Sequence, residues 1–216
     1  MRTAAMVRIF NDMRKLEMWL SYYSKYFDDL YVFACLTEAG ATDALAKKYK
    51  FELIGAPEMY SIPAHVQVWE KQVELLGDHD WVLYADSDEY VIPTKRYKDL
   101  RDFMEQNKEQ QTHCMGYEVF MDDGEKLIDY GKPPVLKQRK YWYRDITGSY
   151  NKPALSRIKS NWVVGFHKLQ EMSDMEVKEV KRTNLYLVHL KHIDEEVATE
   201  VKARRGRIPS HVRRTI

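Results

Sequence analysis

Over its first 112 residues the chain alternates between short apolar runs and longer amphipathic stretches, and this rhythm limits its fold more than any other feature. "AAMVRIF" (4–10) reads as a buried strand, and "DLYVFACL" (29–36), "FELIGA" (51–56) and "DWVLYADSDEYVIP" (80–93) read as three more strands. Between them, 12–27 carries Leu16, Trp19, Leu20, Tyr23 and Phe27 at helical spacing. A short helix is expected at 41–49, and another over 62–77, with Pro63 in its first turn and Gly77 as its stop. A further helix follows at 97–109. Strict strand–helix alternation implies right-handed crossovers and a largely parallel sheet covered on both faces.

After about residue 112 the rhythm changes. "HCMGYEVFM", "KPALSRI", "NWVVGF" and "NLYLVHL" are strand-like with little helix between them, and a polar helix, "DEEVATEVKARRGR", follows. The expected architecture is α/β: one domain over 1–216, with a ligand-binding half at 1–112 and an antiparallel extension of the same sheet at 113–216.

The strand at 80–93 poses a problem. Trp81, Val82, Leu83 and Tyr84 are suited to burial, yet Asp86, Asp88 and Glu89 follow at once. A second D-x-D, Asp78 to Asp80, has the same spacing, so spacing alone says nothing. Position separates the two. Asp78 and Asp80 enter the strand and read as turn residues, whereas Asp86 and Asp88 leave it, where open parallel sheets bind ligands. Residues i and i+2 of an extended segment share a face. Two carboxylates held that close need a cation between them, or one must stay protonated. Hard oxygen ligands in small number suit Mg²⁺ or Mn²⁺ shared with phosphates. A solvated turn capped by Pro93 is the alternative.

Composition narrows the classes. A formal net charge of +1 gives no field suited to nucleic acid as the main partner. No run approaches the roughly 18 apolar residues of a membrane span. Arg8, Asn11, Asp12, Arg14 and Lys15 interrupt the N-terminal apolar stretch, so it does not read as a secretion signal. Cys35 and Cys114, each within an apolar segment, are expected as buried free thiols, and the compartment as cytoplasmic.

With "YADSDEY" closing a strand of an α/β half, the chain resembles the GT-A glycosyltransferases, specifically family 2-like members. "VRIFND" followed by "LEMWLSYYSKYFDDLYVF", Gln67 in "HVQVWEKQ", "NKPALSRIKSNWVVGFHKL" and "LYLVHLKHIDEEVATEVKARRG" are similar to successive parts of that pattern, roughly over 4–207. The resemblance implies transfer of a sugar from a UDP- or GDP-sugar to an acceptor hydroxyl, with inversion, on a glycan, lipid-linked or protein-linked acceptor. It implies Mn²⁺ or Mg²⁺ bound directly by Asp88, with Asp86 reaching the ion or ribose through water and His167 or His189 completing the ligands. Arg8 and Asn11 would hold the nucleoside or its phosphates, Gln67 the base or sugar, and Lys152 a phosphate. The chain departs from the pattern in two places. Glu38 or Asp43 must stand in for the usual nucleoside-contacting Asp. The usual Glu-Asp pair is missing, which leaves Asp145 as base, with Asp122 and Asp123 as rivals that also read as a turn around Gly124.

Other readings remain. The aromatic run "YWYRD" suits either sugar stacking or core packing. The basic stretch "KARRGRIPSHVRR" suits either a phosphate clamp or a solvated helix end. Without the Glu-Asp pair, the same fold could serve as a non-catalytic nucleotide-sugar-binding module. A haloacid-dehalogenase-type phosphohydrolase is disfavoured, because three strands precede the acids and Tyr90 replaces the required Thr or Val. A nucleotidyltransferase would need a Gly-rich phosphate loop near the first strand.

Overall fold

A computed structural model describes residues 1–35, 40–56, 61–121, 124–129, 132, 134–145, 150–163, 165–170 and 183–193. The elements run β1 (Thr3–Phe10), α1 (Met13–Tyr23), β2 (Asp29–Cys35), α2 (Asp43–Tyr49), β3 (Glu52–Ala56), α3 (Ile62–Leu75), β4 (Trp81–Tyr84), β5 (Glu89–Pro93) and α4 (Leu100–Gln106). They continue with β6 (Gln111–Thr112), β7 (Cys114–Phe120), β8 (Trp142–Arg144), β9 (Leu155–Ser156) and β10 (Leu185–His192).

Pleat parity explains why the early strands have no polar face. Ala5, Val7 and Ile9 of β1 point with Leu16, Trp19 and Tyr23 of α1 into one core, while Ala4 and Met6 point with Val68 and Leu75 of α3 into the other. The β1, β2, β3 and β4 ladders are parallel, and the sheet order is β3-β2-β1-β4-β9-β6. This is the mixed, mostly parallel α/β layout expected from the sequence.

Three of the four helices, α1, α3 and α4, start at a side-chain cap. Asp12 accepts from the Lys15 amide at 3.1 Å, Ser61 from the Ala64 amide at 3.3 Å, and Asp99 from the Asp102 amide at 2.9 Å. α1 ends at Tyr23 rather than 27: the Ser24 amide caps it on the Leu20 carbonyl, and a tighter turn follows in which the Tyr26 amide bonds the Tyr23 carbonyl. The helix expected at 97–109 is confined to α4, bounded by its Asp99 cap and by extended Asn107.

Two larger corrections concern strands. The expected single strand over 80–93 is two strands, β4 and β5, separated by a turn and assigned to different sheets. The C-terminal extension is likewise divided. β9 adds to the first sheet antiparallel to β4 and β6 pairs antiparallel to β9, whereas β5, β10, β7 and β8 form a second sheet in that order. In that sheet β10 runs parallel to β7 and antiparallel to β5. Of the expected strands in "KPALSRI" and "NWVVGF", the first shrinks to β9. The second is replaced by a loop in which the Val163 amide bonds the Lys168 carbonyl and Phe166 takes a φ of 62°. The expected helix in "DEEVATEVKARRGR" lies outside the described residues.

Candidate functional site

The acids sit where the two sheets meet. Ala85 makes the last link from β4 to β1, donating to Met6 O at 3.2 Å. The chain then turns: the Glu89 amide donates to Asp86 O at 3.0 Å, and the Glu89 carboxylate accepts from the Asp86 amide at 3.0 Å. Leu190 of β10 donates to Asp88 O at 2.7 Å and fixes the turn against the second sheet. Asp86 and Asp88 therefore do not share the face of an extended strand. A turn brings them together and aims them at different partners.

Buried lysines answer the charge problem. The Lys152 ammonium, 2% exposed, lies 2.8 Å from Asp86 Oδ2 and 2.5 Å from Glu89 Oε1. Lys15, in the first turn of α1, reaches Asp88 Oδ2 at 2.6 Å. Arg8, at the carboxyl end of β1, donates from Nε to Tyr84 Oη at 2.9 Å, and Tyr84 passes a hydrogen bond to Asp86 Oδ1 at 2.9 Å. The Phe166 ring lies 4.8 Å from the Arg8 guanidinium.

Proton affinities follow. Burial pushes Asp86 and Asp88 upward, but Lys152 and Arg8 around the first, and Lys15 and His189 around the second, hold both below the usual carboxylate range. Burial raises Glu89 even with Lys152 against it, and Asp86 adds to the rise. Burial also works against the Lys152 charge, yet Asp86 and Glu89 outweigh it and keep the ammonium well above its ordinary value. Lys152, expected to touch phosphate, is thus enclosed by carboxylates and serves the acids.

His189 completes the cluster. Its Nδ1 lies 3.3 Å from Glu118 Oε1 and its Nε2 3.7 Å from Asp88 Oδ1. The hydrogen bond from His189 is the main reason Glu118 stays below the usual range. Tyr150 stacks on the imidazole with ring centroids 4.2 Å apart. Gly116 of β7 permits that approach, since a Cβ there would sit 2.6 Å from Tyr150 Cβ.

Lone pairs decide whether these residues could hold a divalent ion. Both Asp86 oxygens and Asp88 Oδ2 already accept from Lys152, Tyr84 and Lys15. Asp88 Oδ1 and His189 Nε2 are too far apart for a hydrogen bond, yet near enough to ligate one ion. Glu118 on Nδ1 would hold the tautomer that such ligation needs. Among the described residues no three His, Cys, Asp or Glu side chains gather into a metal cage. An ion here would take the rest of its shell from ligand phosphates and water, as Mg²⁺ and Mn²⁺ commonly do.

The other expected residues scatter. Asp145 follows β8 and accepts from the Tyr150 amide at 2.8 Å, which puts it one residue contact from His189. Exposed His167 follows Phe166 in the loop below Arg8. Exposed Asn11 adopts a φ of 44° between β1 and the Asp12 cap. Gln67 donates to Gly55 O at 2.9 Å beside β3. Glu38, Asp122 and Asp123 lie outside the described residues. Sequence reasoning missed Lys15, Glu118 and Tyr150 as site residues. The available signals were a lysine on the buried face of α1, beside Met18 and Trp19, and a glutamate inside the apolar run of β7.

No known family profile matches the sequence, and no curated protein does. Solved structures share parts of the chain path. Residues covering 59% of this chain align with 23% of S. aureus TarS, at 13% identity and a TM-score of 0.35; the chain thus spans under a quarter of that protein. A 4-diphosphocytidyl-2C-methyl-D-erythritol synthase aligns over 94% of this chain and 97% of its own, at 11% identity and a TM-score of 0.46. The glycosyltransferase GlyE of Streptococcus pneumoniae aligns over 54% of this chain and 29% of its own, at 15% identity and a TM-score of 0.31. Both cysteines are buried and free, and among the described residues no helix is long and apolar enough to cross a membrane.

Proposed function

We propose that the chain is a glycosyltransferase that takes a nucleotide-diphosphate sugar and moves its sugar, with inversion, to an acceptor hydroxyl. The observation that carries this reading is the open pair of Asp88 Oδ1 and His189 Nε2, 3.7 Å apart, beyond the carboxyl ends of β1 and β4. Asp88 and His189 hold Mn²⁺ or Mg²⁺, and Glu118 orients the imidazole. The ion, when bound, supplies neutralisation for the departing diphosphate.

The chain's own groups do the rest. Four carboxylates, Asp86, Asp88, Glu89 and Glu118, face three fixed cations, Arg8, Lys15 and Lys152. The cluster by itself therefore has no surplus positive charge to hold a diphosphate, which supports a need for an added cation. Arg8 is held by Tyr84 at the donor's side of the turn. Asp145 takes the proton of the attacking hydroxyl, with the Tyr150 amide fixing its carboxylate.

Calorimetry with UDP- and GDP-sugars, with and without Mn²⁺, tests the reading. Wild-type protein should bind a donor only with the ion, and Asp88→Ala should remove that binding while the circular dichroism spectrum stays unchanged. Donor binding equally tight without metal, or unchanged in Asp88→Ala, would overturn it.

A further inference from the structure

One face of the second sheet leads away from the candidate site as a row of rings. β8 pairs with β7 so that Tyr143 lies opposite Glu118, and directly opposed residues share a face. Phe120, two residues beyond Glu118, lies on that face as well. The Tyr143 and Phe120 rings meet edge to face at 5.6 Å, and His192 of β10 stacks on Phe120 at 5.3 Å and 4°. Tyr143 is 51% exposed, so the sequence's core-packing alternative does not describe it.

We infer that this ledge is the acceptor subsite and that the acceptor is a carbohydrate chain. The inference rests on the transferase reading above. Three observations support it. The ledge is continuous with the site, because Glu118 bonds His189 and His189 faces Asp88. It offers a flat ring face with a polar rim, the Tyr143 ring and its hydroxyl, which match a sugar's C–H face and hydroxyl edge. An acyl chain would leave that hydroxyl unpaired. Among the described residues, β7 and β8 place no lysine or arginine on this face: Arg144 lies on the opposite face with Tyr117, so these two strands offer a phosphorylated acceptor no counter-charge beside Tyr143.

The test is saturation-transfer NMR on the full chain, without donor or metal. The probes are oligosaccharides of glucose, N-acetylglucosamine and mannose, one to four units long. At least one series should bind, more tightly as it lengthens. Tyr143→Ala should weaken it about tenfold, the size of one aromatic contact, and Tyr143→Phe should retain it. Trp142→Ala, on the opposite face of β8, should bind as wild type does. Absence of oligosaccharide binding overturns the inference, as does equal binding by Tyr143→Ala, equal loss in Trp142→Ala, or binding confined to a prenyl phosphate or an unglycosylated peptide. The donor experiment is independent. Sugar binding without donor binding would remove the transferase reading and with it the acceptor role, leaving a carbohydrate-binding ledge, and donor binding without sugar binding would remove the ledge alone.

Discussion

Two Asp-x-Asp triplets bracket β4, and they have almost nothing else in common. At the entrance, Asp80 is more than half exposed and accepts from the Arg2 amide at 2.7 Å, which pins the N-terminus beside the strand. At the exit, Asp86 and Asp88 are closed in by two buried lysines, and one of them faces a histidine. Identical spacing gives a surface tie at one end and a charged cluster at the other. The end of the strand, and the cations that the rest of the chain delivers there, determine which results.

Breaking the exit cluster should have the largest effect. Lys152→Ala leaves the fully buried Glu89 carboxylate without its counter-ion and takes one of two cations from half-buried Asp86, and should lower unfolding free energy by about 3–5 kcal/mol, measured by urea denaturation at neutral pH. A loss under about 1 kcal/mol would reduce that bridge to the standing of Asp80.

Acid titration should give a smaller contrast. Asp88 binds its proton less readily folded than unfolded, where an aspartate titrates near about 3.9. Below about pH 4 the unfolded chain therefore holds more protons, and stability should fall as the pH drops. Asp88→Asn should flatten that slope in chemical denaturation series. A slope unchanged in the variant would mean that Lys15 does not stabilise this carboxylate.

The smallest effect belongs to the entrance. Asp80→Asn should cost at most about 1 kcal/mol in the same urea experiment. A larger loss would make the entrance triplet as structurally important as the exit one and remove the contrast.

The sequence made the first half of the fold readable because strands buried on both faces must be largely apolar, and β1, β2 and β4 are, apart from Thr3, Arg8 and Asp29. It hid the break between β4 and β5. Apolar residues flank the acids on both sides, "WVLYA" before and "EYVIP" after, and no Gly or Pro lies between them to mark a turn. Asp86, Asp88 and His189 could be picked out because acids after a buried strand are anomalous and the family pattern points to a late histidine. Lys15 could not be found by motif, since its role depends on α1 crossing over the turn 73 residues later in the chain. Glu118 became legible only once the register set it beside His189.

Lys152 lies three residues before β9 of one sheet, and Glu89 opens β5 of the other. Their ion pair is therefore a rivet through the seam, and Asp86 shares its head. A ligand that pulled on this ammonium would be working against the joint that keeps the two layers aligned. Lys152 is thus committed to the cohesion of the protein, and ligand affinity has to come from other groups.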